Sequence, residues 1–278
     1  MALHLHRISP ELMSSFDFET LRPFFRELER VAAAETLPRF RTSISVDNKA
    51  ANARFDPVTE ADRAAEQALR NLISAQFPDH GIQGEEGDDK AAAGDWSWII
   101  DPIDGTRSFI SGMPTWGTLV GLLERGVPRF GMMSQPFVGE SFIGGGGECE
   151  WCRGDTRTKL RCRPSDSLAD ATLFATSPDM FAANGEKTAF DALAQTVRLT
   201  RFGADCYGYA LVAAGHVDLV VEANLGYYDV APVIPVVEGA GGVVSDWNGN
   251  PVRGGGRAVA AASQALLDEA LEILQRYI

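Results

Sequence analysis

The sequence has little that would place the protein in a membrane or in a cross-linked scaffold. No apolar run reaches the roughly 18 residues that a membrane-spanning helix needs, and residues 1–10 contain no apolar core typical of a secretory signal. Internal repeats and low-complexity linkers are also absent. We therefore expect a globular cytoplasmic protein without a transmembrane helix.

Cysteine is scarce, with 4 residues in a chain of 278. Cys149 and Cys152 have the spacing of half a zinc site and Cys162 follows, but no second cysteine pair or histidine pair completes a standard ligand set. A structural zinc site is therefore the less favoured alternative. All four thiols, including Cys206, are expected to be reduced and without function.

Basic residues are outnumbered, with 25 Lys and Arg against 38 Asp and Glu and a net charge of −13. This charge repels phosphodiester backbones and anionic lipids, so neither nucleic acid nor a membrane is expected as a partner. A small cationic substrate would be attracted by it. A bound phosphate group would need a metal ion to neutralise its charge locally.

Helix-like and strand-like segments alternate along the chain, which favours a layered α/β fold. The prediction rests on hydrophobic periodicity and on turn residues. Predicted helices cover residues 16–36, 187–197, 207–214 and 263–277, and one more lies between Thr59 and Pro78. Predicted strands cover residues 96–100, 119–123, 130–133, 217–222 and 242–245.

Two carboxylates directly follow the apolar run 96–100. Residues 99–106 read Ile-Ile-Asp-Pro-Ile-Asp-Gly-Thr, and the proline and glycine predict that Asp101 and Asp104 lie on a turn at the strand's end. Functional groups often lie there in layered α/β proteins. Two hard oxygen ligands on a rigid turn suit Mg²⁺ together with a substrate phosphate. The alternative is that Asp-Pro and Asp-Gly are here only common turn residues.

Two further acidic segments precede this strand. Residues 56–62 read Asp-Pro-Val-Thr-Glu-Ala-Asp, in which Thr59 and Asp62 resemble a capping box before a helix. Residues 84–86 read Gly-Glu-Glu and lie in a polar stretch. Each has a simpler interpretation: Asp62 would only cap the helix, and Glu85 would lie on a solvated loop.

Taken in order, these three segments and a late Tyr228-Asp229 pair resemble the inositol monophosphatase superfamily, from about Phe55 to the C-terminus. Members of that superfamily are Mg²⁺-dependent, lithium-sensitive phosphatases. The resemblance implies an alternating α-β-α-β-α sandwich, hydrolysis of a small phosphate monoester and a homodimer.

Three segments point to one branch of the superfamily. Arg107-Ser108-Phe109 stands where inositol phosphatases usually have Thr-Asn-Phe and the nucleotide-bisphosphate branch has Lys-Glu-Phe. A basic residue followed by Ser-Phe resembles the histidinol-phosphate phosphatase branch, as do residues 203–209 (Gly-Ala-Asp-Cys-Tyr-Gly-Tyr) and 215–222. Inositol phosphatases typically carry small apolar residues in the first of these two segments.

The resemblance therefore implies hydrolysis of histidinol phosphate to histidinol and phosphate, a step of histidine biosynthesis, by a metal-activated water. One alternative keeps the enzyme class but changes the substrate to inositol phosphate or another small sugar or nucleotide phosphate. A third interpretation, a non-catalytic binding or regulatory protein, predicts a broken ligand set, whereas the set in this sequence is complete.

Roles for individual residues also follow from the resemblance. Two or three Mg²⁺ ions would be held by four carboxylates and one main-chain carbonyl, those of Glu85, Asp101, Asp104, Asp229 and Ile103. Asp101 would bridge two ions, and Asp104 and Asp229 would hold the second ion near the leaving-group oxygen. Asp62 and Thr106, with Glu85 nearby, would orient the attacking water. The N–H groups of Gly105 and Thr106 would bind the phosphate at a helix start.

Substrate choice is expected to depend on other carboxylates, since histidinol phosphate carries an ammonium group and an imidazole. Asp205 and Glu222 match the substrate side of the family's site, and Asp229 is expected to bind the substrate as well. In the alternatives, Asp205 is the N-cap of a helix from Tyr207, and Glu222 is an exposed acid at a strand end. Residues 1–145 would then carry the metal and phosphate site and residues 146–278 the specificity residues, packed as one globular unit.

Overall fold

Two large β-sheets organise the chain, with helices outside and between them. The computed structural model describes residues 16–48 and 57–278. The antiparallel strands β1 (Val46–Asn48) and β2 (Pro57–Thr59) form a separate two-stranded sheet. Residues 1–10, Phe55 and Asp56, which entered the sequence interpretation, lie outside the described residues.

The first large sheet has seven strands in the order β3-β4-β5-β6-β7-β8-β9. Strand β3 pairs in parallel with β4, and each later pair is antiparallel. The strands are β3 (Gly81–Gly84), β4 (Trp96–Asp104), β5 (Gly117–Glu124), β6 (Val127–Gln135), β7 (Glu140–Gly145), β8 (Glu148–Arg153) and β9 (Thr156–Lys159).

Helices α1 (Phe18–Thr36) and α2 (Glu60–Gln76) cover one face of this sheet. Each has apolar residues three or four positions apart, which places them on one side of the helix. In α2, Leu69 and Ile73 are fully buried in a cluster that includes Trp98 of β4. Burial of this stripe, more than intrinsic helix propensity, stabilises such a helix in a folded protein.

The second large sheet has five strands in the order β11-β10-β12-β14-β13. Strand β10 is parallel to both of its neighbours, and β14 is antiparallel to both of its own. The strands are β10 (Thr172–Ala175), β11 (Leu199–Phe202), β12 (Leu219–Leu225), β13 (Val243–Ser245) and β14 (Gly256–Ala261).

Four further helices complete a five-layered structure. Helix α5 (Tyr207–Ala213) contacts β6 of the first sheet and β12 and β14 of the second, and α7 (Ile234–Gly239) contacts β6, β7, β8 and β13, so both lie between the sheets. Helices α4 (Glu186–Ala194) and α8 (Gln264–Leu274) pack on each other, and α8 contacts β14. The order of layers confirms the predicted α-β-α-β-α sandwich.

The predicted elements are present, with boundaries that differ by a few residues. One difference matters for the site, because β4 does not end before the Asp-Pro-Ile-Asp motif but continues to Asp104.

The division of the chain at residue 145 stays a prediction. The seven-stranded sheet itself continues to Lys159, and the second large sheet begins at Thr172. Within the described ranges, none of the helices has the length and apolar character needed to cross a bilayer.

All four cysteines are free thiols. Burial raises the pKa of Cys162 to about 11 and raises the pKa of Cys149 further, which keeps both protonated at neutral pH. Among the described residues, the only group of His, Cys, Asp or Glu side chains arranged to hold a metal ion contains no cysteine. The arrangement gives no support to a zinc site.

Candidate active site

One cavity of about 490 Å³ brings together residues from both halves of the chain. It contains nearly all the site residues predicted from the sequence. Those lining it are Glu85, Asp101, Ile103, Asp104, Gly105, Thr106, Asp205, Glu222 and Asp229. Asp62 is fully buried and is not part of the lining.

Three carboxylates form the centre of this cavity. Oxygen atoms of Asp101, Asp104 and Asp229 all lie within 4.8 Å of one another. The register of β4 against β5 is irregular between Asp101 and Asp104, and the Ile103 N–H donates to Asp101 Oδ1 at 3.0 Å. The two carboxylates therefore lie on an irregular strand rather than on the predicted turn, because β4 accommodates the proline as a bulge.

Asp229 reaches the group from the other half of the chain. It lies in the first turn of α6 (Tyr227–Val230), where its Oδ2 accepts a hydrogen bond from the Gly226 N–H at 2.7 Å. Asp104 is held by the same half, since its Oδ2 accepts from the Cys206 N–H at 2.7 Å. The cluster is therefore assembled from both halves.

The electrostatics of the cluster favour a cation. Burial raises the pKa of Asp101 and Asp104 well above the usual range, and neighbouring carboxylates raise it further. Burial, followed by the charge of Glu85, raises the pKa of Asp229 to about 7. Carboxylates this close repel one another when ionised, and a hard cation relieves that repulsion. An all-oxygen donor set is the set that Mg²⁺ prefers, so these residues fit the predicted metal.

Thr106 and Asp62 are in contact, as their predicted shared role requires. Thr106 Oγ1 lies 3.4 Å from Asp62 Oδ1 and 3.1 Å from the Ile103 carbonyl oxygen. Asp62 Oδ2 accepts from the Thr59 N–H at 2.8 Å and from the Thr59 hydroxyl at 2.6 Å, which confirms the capping box. Capping α2 and holding Thr106 are therefore compatible roles, because Asp62 uses a different oxygen for each.

Gly105 precedes the short helix α3 (Thr106–Ser111) in a left-handed conformation, with φ of +81°. A Cβ at this position would lie 2.8 Å from the Asp205 Cγ, which no real contact allows. Glycine is thus required both by the backbone and by the close approach of Asp205. Phosphate binding by Gly105 and Thr106 stays a prediction.

Asp205 is held by two hydroxyls from the first half of the chain. Its Oδ2 accepts from Ser108 Oγ and from Thr115 Oγ1, each at 2.6 Å, and its backbone is left-handed with φ of +48°. The N-cap of α5 is Cys206, so the alternative of Asp205 as an N-cap is wrong. The residue instead links α3 to the second half of the molecule.

Glu222 is also buried, with 3% of its surface exposed. Its Oε1 accepts from the N–H and hydroxyl of Thr176 at 2.9 and 2.6 Å, and its Oε2 accepts from the Tyr209 hydroxyl at 2.9 Å. The alternative of an exposed strand-end acid is therefore wrong. Contact with the substrate stays a prediction for both Glu222 and Asp205.

Several residues that hold the site were missed by the sequence analysis. Tyr209 and Ser108 lie in segments quoted for the family branch, but without assigned roles. Thr115 and Thr176 carry no sequence signal, because each meets its carboxylate partner across a long stretch of chain.

Comparisons with known proteins show which proteins this chain is similar to. The model of the inositol monophosphatase family matches residues 17–278. The bifunctional phosphatase IMPL2 of Arabidopsis thaliana is 40% identical over 232 residues, which are 80% of this chain and 66% of that protein. A histidinol-phosphatase of Chlorobaculum parvum is 36% identical over 86% of this chain and 91% of its own length. A solved inositol monophosphatase structure from Zymomonas mobilis has a TM-score of 0.79 and 37% identity, covering 94% of this chain and all of that one.

Proposed function

Because the chain belongs to the inositol monophosphatase family, whose enzymes are metal-dependent phosphatases, we propose that it is a Mg²⁺-dependent histidinol-phosphatase. One observation carries the proposal. The cavity that holds the three clustered carboxylates also contains two further buried carboxylates, those of Asp205 and Glu222. A neutral polyol would not need these two negative groups, whereas a substrate with an ammonium group and an imidazole gains charge-assisted hydrogen bonds from them.

The proposed chemistry needs a cation at the cluster. Glu85, Asp101, Asp104, Asp229 and the Ile103 carbonyl would hold Mg²⁺, which when bound neutralises phosphate charge and makes water more acidic. Thr106 Oγ1 accepts the proton of the attacking water while passing its own proton to Asp62 Oδ1, since a hydroxyl can donate and accept at once. The water oxygen forms a bond to phosphorus as the bond between phosphorus and the histidinol oxygen breaks. The histidinol oxygen takes up a proton from solvent, and Asp62 releases the proton it received to solvent before the next turnover.

A panel of phosphate esters tests this function directly. Phosphate release would be measured with histidinol phosphate, inositol phosphate and glycerol phosphate in the presence of Mg²⁺. We expect the highest kcat/KM for histidinol phosphate. Higher efficiency with inositol phosphate would overturn the substrate assignment and favour the alternative phosphatase. Failure to release phosphate from any ester would favour the non-catalytic alternative.

The two additional carboxylates should decide substrate preference. Replacing Asp205 by Asn or Glu222 by Gln removes a charge but keeps an oxygen for the hydroxyl donors. A charge-assisted hydrogen bond contributes about 1.5–3 kcal/mol. We therefore expect roughly a ten- to hundredfold loss of kcat/KM for histidinol phosphate, and a much smaller loss for glycerol phosphate.

The Mg²⁺ dependence of both variants is the internal control, because neither residue is proposed as a ligand. Equal losses on the two substrates would mean that these acids support the site as a whole. Lithium inhibition and a homodimer, which the resemblance also implies, stay predictions.

A further inference from the structure

The loop that carries Glu85 is attached to α2 by two side chains that the sequence analysis did not identify. We propose that Glu66 and Arg70 are positioning residues that fix this loop and thereby set the affinity of the site for Mg²⁺. The inference rests on the proposed function, since it assumes that Glu85 is a metal ligand. It concerns the protein's own hydrogen bonds and can be tested by metal binding without turnover.

Glu66 is nearly inaccessible, with 2% of its surface exposed. Its Oε2 accepts from the Glu86 N–H at 2.9 Å, and its Oε1 accepts from the Gly87 N–H at 2.9 Å and from Arg70 Nε at 2.7 Å. Hydrogen bonds from backbone N–H groups to a buried carboxylate are strong, and the loss of that acceptor leaves the donors unsatisfied.

Arg70 completes the attachment from the other side of the backbone. Its guanidinium donates to the carbonyl oxygen of Asp88 at 2.9 Å and to that of Gly87 at 3.1 Å. Backbone N–H and C=O groups in a loop have no hydrogen-bond partners in a sheet or helix, so side chains or water must supply those hydrogen bonds. Here one helix supplies both an acceptor and a donor for three consecutive loop residues.

Glu85 is also fixed on its N-terminal side. The Glu85 N–H donates to the Ile100 carbonyl at 3.2 Å, which extends the pairing of β3 with β4 by one residue. A Cβ at Gly84 would lie 2.2 Å from Glu66 Oε1, so the glycine is required by the close approach of this carboxylate. Both neighbours of Glu85 in sequence are therefore in contact with Glu66.

The placement of Glu85 gives this attachment a consequence for metal binding. Glu85 lines the cavity, and its charge raises the pKa of Asp101, but it does not belong to the group of three carboxylates within 4.8 Å. Its carboxylate stands on a loop rather than on a strand or helix. Residues that orient ligands in this way typically change metal affinity by roughly ten- to hundredfold when they are mutated.

The alternative is that Glu66 and Arg70 form a buried ion pair that only stabilises α2. A second pair in the chain provides a matched control. Glu186 of α4 is 5% exposed and accepts from the Ala183 N–H at 2.9 Å and from Arg257 Nε at 2.7 Å. Neither Glu186 nor Arg257 lines the cavity. Both glutamates are buried, and each accepts from an arginine Nε at 2.7 Å and from backbone N–H at 2.9 Å. Only the backbone partners of Glu66 adjoin a proposed metal ligand.

The experiment compares Glu66→Gln with Glu186→Gln. Mg²⁺ binding is measured by calorimetry on the substrate-free protein and by the Mg²⁺-induced rise in melting temperature, and the Mg²⁺ concentration for half-maximal phosphate release is measured in parallel. Both variants should lose thermal stability. We expect about tenfold weaker Mg²⁺ binding in Glu66→Gln alone, with kcat at saturating Mg²⁺ retained. Arg70→Gln should also weaken Mg²⁺ binding, and it replaces Glu66→Gln in the comparison if Glu66→Gln does not fold.

Wild-type affinity for Mg²⁺ in the folded Glu66→Gln or Arg70→Gln variant would overturn the inference while leaving the proposed function intact. An equal loss of affinity in Glu186→Gln would also overturn it, since the effect would then be one of general stability. A wild-type protein that neither binds Mg²⁺ nor releases phosphate would overturn the proposed function and, with it, this inference.

Discussion

Asp101→Asn should reduce kcat/KM on the order of 10³-fold or more, because it removes the charge expected to bridge the metal ions and to stabilise the transition state with them. The amide keeps an oxygen that can accept the Ile103 N–H, so the irregular segment of β4 should be preserved. The measurement is steady-state phosphate release over a range of Mg²⁺ concentrations. Wild-type protein in excess chelator should have the same residual activity as the Asp101→Asn variant has with Mg²⁺.

The same variant should be more stable than the wild type when both are metal-free. Burial and neighbouring carboxylates raise the pKa of Asp101 in the folded protein, so its ionised form destabilises the fold at neutral pH, and a neutral amide removes that penalty. A higher melting temperature together with lost activity would rule out misfolding as the cause. Near-normal turnover, or an unchanged stabilisation by Mg²⁺, would contradict the role of Asp101.

Thr106→Ala should reduce kcat on the order of 10²-fold or more, since the water would lose the hydroxyl that orients it and relays its proton. The contact of Thr106 Oγ1 with Asp62 Oδ1 motivates this expectation. Single-turnover and steady-state rates at saturating Mg²⁺ would measure the loss.

Thr106→Ser is the matched control, because it restores the hydroxyl and should recover most of the rate. The Mg²⁺-induced rise in melting temperature should persist in both variants, as the hydroxyl is not a proposed ligand. A Thr106→Ala enzyme with nearly normal kcat would show that the water is positioned by other groups.

Local patterns predicted the parts of this structure that depend on neighbours in sequence. The capping box of Thr59 and Asp62 is an example, because both partners lie within one helical turn. The end of β4 was predicted wrongly, since a proline and a glycine normally stop a strand. Here pairing with β5 continues past the bulge to Asp104, and the strength of that pairing is not visible in the motif itself.

The polar contacts around the acidic residues could not be predicted from the sequence, for a different reason. Glu66 has the appearance of an ordinary helix-surface acid paired with Arg70 one turn later. Only the fold brings the 84–88 loop against it. Likewise, Thr115 contacts Asp205 across 90 positions and Thr176 contacts Glu222 across 46. The family motifs identified the groups expected to do the chemistry, whereas the groups that hold them depend on tertiary contacts.

Asp205 is coupled to Ser108 and Thr115 through one shared oxygen atom. Asp205 Oδ2 is the acceptor for two hydroxyls, and the same side chain lies against Gly105. Replacing Asp205 by a small apolar residue would deprive both half-buried hydroxyls of that acceptor. Thr115 Oγ1 would keep only its contact with Ser108 Oγ at 3.1 Å. If Asp205 does select the substrate, a change of preference therefore involves three positions, and the effects of substituting them should not be additive.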